Sequence, residues 1–196
     1  MSEVRSEPDP DCPGVLRFAD ADQREIITLL ARFKLDTRIL ADQETIPGSF
    51  WGDDEAGLVG RCLYLRQDTP VHSILHEAGH FICMDETRRK CLDTDAKSDD
   101  QEESAVCFLQ ILLSQYLTTM GVERMLADMD TWGYSFRLGS SRDWYKHDAE
   151  DARDWLLNHG LIDAQDRCLF HRAFDQPQAA LSIMPAQPAK SLVEKV

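Results

Sequence analysis

Apolar side chains recur at Ile26, Ile27, Leu29, Leu30 and Phe33, the three-and-four spacing of an amphipathic helix. Asp20, with Gln23 three residues on, reads as the capping box that opens it. The pattern then changes over residues 37–66. Pro47-Gly48, Gly52-Asp53-Asp54 and Gly57 divide short apolar runs, such as Ser49-Phe50-Trp51 and Leu58-Val59, which predicts two or three short antiparallel strands. The last of these runs, 61–66, alternates apolar and polar positions as a half-buried strand does. Thr69-Pro70 next opens a helix, with Thr as cap and Pro pre-organised for the first helical position. Ile74, Leu75, Ala78, Phe81 and Ile82 form its apolar side. Residues 85–97 are charged and lack a period, which predicts a loop. Ser98 with Gln101 is a second capping box, opening a helix expected to run to Met120, where Gly121 is placed to end it. Two further helical patterns cover 122–130 and 148–158, the second with Gly160 behind it.

These elements predict an α+β fold, a small antiparallel sheet packed on a helical core, within a single domain over residues 15–175. Residues 1–14, with Pro8, Pro10 and Pro13 among acids, read as a flexible arm. Residues 176–196, with Pro177, Pro185 and Pro188, read as a disordered tail. The most apolar stretch, 108–120, is broken by Gln110, Ser114 and Gln115 and is too short to span a bilayer. The amino terminus has no basic-and-apolar signal pattern, so a cytoplasmic protein is expected. Charge narrows the choice of partner. The chain carries 21 basic and 35 acidic residues, a formal net charge of -14, which disfavours direct binding to nucleic acid or to anionic membranes. Its six cysteines include no Cys-x-x-Cys pair, and scattered thiols of this kind are expected to be reduced and partly buried.

The candidate chemistry lies in His76-Glu77-Ala78-Gly79-His80. On a helix, a spacing of four puts both imidazoles on one face, one turn apart, where they can share a metal ion. Glu77 projects beside them. His72, one turn earlier, reads as a residue of the helix's first turn. A catalytic zinc site needs a third protein ligand and one open position. No third histidine follows at the metzincin spacing, which leaves a glutamate on the helix after Ser98. Ala105, Phe108, Leu109, Leu112, Leu113 and Tyr116 cluster on one side of that helix at about 100° per residue. Glu102 lies about 30° from the centre of this stripe and Glu103 about 130° away, beside Cys107, Gln110 and Ser114. An acid on the buried edge of a helix must be paired, protonated or metal-bound, so Glu102 is preferred over Glu103 as the third ligand.

His76-Glu77-x-x-His80 followed by Glu102-x-x-Ala105-x-x-Phe108 resembles the gluzincin metallopeptidases, in style the small soluble ImmA/IrrE-type members. The resemblance covers about residues 58–117. It implies a zincin-like fold in which His76, His80 and Glu102 bind zinc and Glu77 is the general base that takes a proton from a zinc-activated water. It also implies a protein or peptide substrate, held as an added strand beside 61–66. Members often carry Asp or Asn after the Ala to orient a ligand, where this chain has Val106. Asp85, Asp99 and Asp100 are the candidates to replace that residue, and Tyr134, Tyr145, His147 and His159 are candidate donors to an oxyanion. The alternative is a catalytically silent zinc-binding protein that acts by binding a partner.

Overall fold

The computed structural model describes residues 14–49, 54–90 and 98–170. The arm over 1–13, the tail and the Phe50-Trp51 run lie outside the described residues. Among those described, seven α-helices accompany one three-stranded mixed sheet, an α+β architecture.

The first helix, α1 (Gln23–Arg32), buries Ile26, Leu29 and Leu30 as its period predicts. Its cap is Asp22, whose carboxylate accepts from the Arg24 and Glu25 amides, rather than Asp20, which ends a short 3-10 turn. The strands are β1 (Asp36–Ile39), β2 (Gly57–Val59) and β3 (Cys62–Leu65), in the order β1-β3-β2. The β2–β3 pair is antiparallel as expected, but β1 runs parallel to β3, with Asp36 opposite Cys62 and Ile39 opposite Leu65. The strand over 61–66 is therefore the middle of the sheet, and both its edges are already paired. An added substrate strand has no edge of β3 to join, which corrects the placement implied by the resemblance. The loop at Pro47–Ser49 lies directly on the backbone of β2. A Cβ at Gly57 would overlap the Pro47 carbonyl, and one at Gly48 (φ 78°) would lie 2.7 Å from the Leu58 oxygen. Only glycine permits that approach on both sides.

The motif helix is α2 (Val71–Cys83). Pro70 is its cap rather than its first residue, and the Thr69 hydroxyl accepts from the Arg66 amide instead of capping the helix. Part of the expected loop over 85–97 is helical, as α3 (Glu86–Lys90). Next comes α4 (Asp100–Ser114), whose cap is Asp99 rather than Ser98. It stops at Ser114, well short of Met120, and Gly121 opens α5 (Gly121–Trp132) instead of closing α4. The helix α6 (Ser141–His147) has no counterpart in the sequence expectations, and α7 (Glu150–Asn158) follows the expected pattern.

The centre of the molecule is α4. It packs against α2 on one side and against α5 and α7 on others, and every residue from Ala105 to Ser114 is buried. The sheet lies against α1 and α2, with Leu63 and Leu65 of β3 fully buried in the same core. The helices α2 and α4 approach closely at Gly79, where a Cβ would stand 3.0 Å from Val106 Cγ1. Val106, in the position where the resemblance expects a polar residue, fills this contact.

Candidate metal centre

His76 and His80 come from successive turns of α2 and Glu103 from the first turn of α4. The two Nε2 atoms are 3.1 Å apart. Glu103 spans them, with Oε1 3.2 Å from His76 Nε2 and Oε2 3.5 Å from His80 Nε2. His80 is 7% exposed but the Glu103 side chain is 44% exposed, so the cluster reaches solvent on its Glu103 side. Donors at the usual distances of tetrahedral zinc are about 3.3–3.4 Å from one another. The three separations fall around that value, and the donor set of two imidazoles and a carboxylate is one that catalytic zinc uses. The residues thus could hold a metal ion and suit zinc.

Glu102, the preferred ligand on sequence grounds, does not reach the histidines. Its side chain is buried on the neighbouring side of α4, where Oε2 accepts from Arg88 Nη1 at 2.6 Å. The phase argument chose it because the apolar stripe was taken as the inward face. A helix buried on all sides has no single inward face, and the side facing α2 is the polar one. Glu103, Cys107, Gln110 and Ser114 recur at four, three and four residues, and the last three are buried. That buried polar line was the available signal.

The surroundings fix the ligands. The Ser98 hydroxyl donates to Glu103 Oε2 at 2.9 Å, which holds the carboxylate. His76 Nδ1–H donates to Gln110 Oε1 at 2.7 Å, which turns Nε2 toward the cluster. None of the three aspartates proposed for this task performs it. Asp85 accepts from the Arg88 amide, Asp99 caps α4, and Asp100 is exposed in the first turn. Of the four candidate oxyanion donors, Tyr145 packs on Phe108, His159 stacks on Trp155, and His147 sits in the last turn of α6. Tyr134 alone of the four stands by the motif, edge-on to His76 with ring centroids 5.9 Å apart.

Electrostatics single out the same residues. Burial works against the Glu103 carboxylate, but the hydrogen bond and charge of His76, with His80 and Ser98, outweigh it and hold the pKa down to about 2. Burial also opposes a charged His76, yet Tyr134, Cys107 and Glu103 raise it well above 6.5. Glu77 moves the other way. Burial, aided by Glu55 and Glu103 and opposed by His76, lifts its pKa to about 7. His72 is fully buried, packed on Trp132 and Tyr134, and neither ring nitrogen has a hydrogen-bond partner among the described residues. Desolvation, with His76 and Arg17 nearby, lowers its pKa to about 3, so it is a neutral packing residue.

No known protein family, curated protein or solved structure matches the chain. The site is therefore read from its own geometry.

Proposed function

We propose that this protein is a zinc-dependent metallopeptidase of gluzincin type, with a zincin-like arrangement of α2 and α4. The observation that carries the reading is the convergence of His76, His80 and Glu103 at the separations of a tetrahedral site, with Glu77 adjacent in the motif. This keeps the histidines and the general base implied by the resemblance and moves the third ligand from Glu102 to Glu103. Zinc held there would polarise a scissile carbonyl and acidify the water at its open position. The protein's own groups do the rest. Glu77, half-buried and raised toward neutrality, is matched to accept a proton near pH 7 and return it to a leaving amine. Ser98 holds the Glu103 carboxylate in place through its hydroxyl.

A metal assay and a turnover assay test this. Protein purified without chelator is expected to hold close to one zinc per chain, and His76→Ala and His80→Ala are expected to lose it. Glu77→Gln should keep the metal and the fold while peptide cleavage falls by about 10²–10⁴-fold, the usual contribution of a general base. Peptide-library digestion by wild type, by this variant and by chelated protein gives the readout. Zinc retained in both histidine variants would refute the centre. Stoichiometric zinc with no cleavage by wild type would turn the reading to a zinc-binding protein that acts through a partner.

A further inference from the structure

The group that orients His76 in this fold is an uncharged amide. Gln110 lies on the third turn of α4, fully buried, seven residues beyond Glu103. Its oxygen accepts from His76 Nδ1–H at 2.7 Å, and its nitrogen lies 3.7 Å from Met125 Sδ on α5. The ring of Tyr134 stands edge-on to His76, with centroids 5.9 Å apart. Tyr134 follows Gly133, the left-handed residue that ends α5, and its amide returns to the Met129 carbonyl at 3.0 Å. The end of α5 thus presents Tyr134 to the back of the motif helix.

We propose that Gln110, held by Met125, is the positioning residue that orients His76 and so turns Nε2 toward the metal. The inference rests on the metal-centre reading and adds a specific dependence to it. An amide has two faces of opposite character. With the oxygen toward His76, Nδ1 keeps its proton and Nε2 is free to ligate. With the nitrogen toward His76, Nδ1 must accept, the proton moves to Nε2, and ligation is lost. The thioether on the far side only accepts, so it takes the amide nitrogen and holds the first arrangement. A carboxylate partner would need no such lock, because both of its oxygens accept.

Gln110→Met keeps the length and apolar fit of the side chain but removes the acceptor, whereas Gln110→Glu restores an acceptor that cannot be turned the wrong way. Zinc affinity is measured by competition with a chromophoric chelator, and each metal-free protein is melted alongside. Gln110→Met is expected to bind zinc about 10–100-fold more weakly, the usual cost of losing such a partner. Gln110→Glu is expected to bind at least as tightly as wild type, and Met125→Leu, which removes the acceptor for the amide nitrogen, to fall between the two. A purely structural Gln110 would reverse the order, since the methionine suits the buried site better than a carboxylate does. Wild-type affinity in a folded Gln110→Met, or equal losses in the Met and Glu variants, would overturn the assignment. If Gln110→Met does not fold, Met125→Leu decides, and unchanged affinity there removes the lock. Absence of zinc binding in wild type would instead refute the metal centre itself, which separates the two failures.

Discussion

Adjacent glutamates on α4 have opposite duties, and single substitutions should separate them. Glu103→Gln is expected to lose most zinc affinity and also to lower the metal-free melt at pH 7, since it removes the carboxylate held by His76, His80 and Ser98. Glu102→Gln should retain zinc but cost about 1–3 kcal/mol of stability by removing the charged partner of Arg88 from a buried position. Urea unfolding and metal titration of the two variants check the pair. His72 offers a pH test. Its folded pKa, about 3, lies below the ordinary 6.5, so the unfolded chain binds the extra proton. The neutral ring's contribution is complete above pH 6.5 and is lost as pH falls toward 3. This residue alone accounts for about 2 kcal/mol of lost stability between pH 7 and pH 5. His72→Phe, measured metal-free by urea unfolding, should be less acid-sensitive by that amount. At this scale the meeting of His76 and His80 was legible by spacing alone, because i and i+4 share a face on any helix. The choice between Glu102 and Glu103 needed to know which side of α4 meets α2, and that depends on packing with three other helices.

Between elements, the close approach of α2 and α4 is what joins the two halves of the site. Gly79 lies in the motif and Val106 lies three residues beyond Glu103, so the contact that sets the helix separation also sets the reach of the carboxylate. Gly79→Val is expected to force the helices apart against Val106 Cγ1, at 3.0 Å from an added Cβ, and the Val106 oxygen, at 3.4 Å. The expected cost is about 1–3 kcal/mol, the usual penalty of overpacking, with a fall in zinc affinity as Glu103 withdraws. Thermal melts with and without zinc measure both effects. The motif helix and the existence of α1, α4, α5 and α7 were legible from periodicity. Their ends were less so, because Asp22 and Asp99 outcompeted nearby Asp20 and Ser98 as caps, one or two residues away. The parallel pairing of β1 with β3 was not legible, since a four-residue exposed strand carries no pattern that fixes its direction.

Across the whole chain, one apolar core runs from Phe18 to Cys168 and takes in residues from α1, from all of the longer helices and from the sheet. No helix among the described residues is long and apolar enough to cross a membrane. Long-range polar ties join the beginning of the described chain to its helical half, as where the Leu16 amide donates to Asp128 on α5 at 2.8 Å. Such ties close far larger loops than the α2–α4 contact does. Gly79 and Val106 are near neighbours in sequence by comparison, and α4 is the helix on which α5 and α7 must later dock. Loop closure favours short connections early, so the α2–α4 pair is expected to form first as the chain folds. Val106→Ala should then slow folding, with a φ-value above about 0.5, while Leu156→Ala on α7 should chiefly speed unfolding. Stopped-flow chevrons of the two variants give the comparison. If they come out in that order, His76, His80 and Glu103 are brought together before the rest of the protein is complete, and, on the proposed metal-centre reading, zinc present during refolding should accelerate the folding step itself.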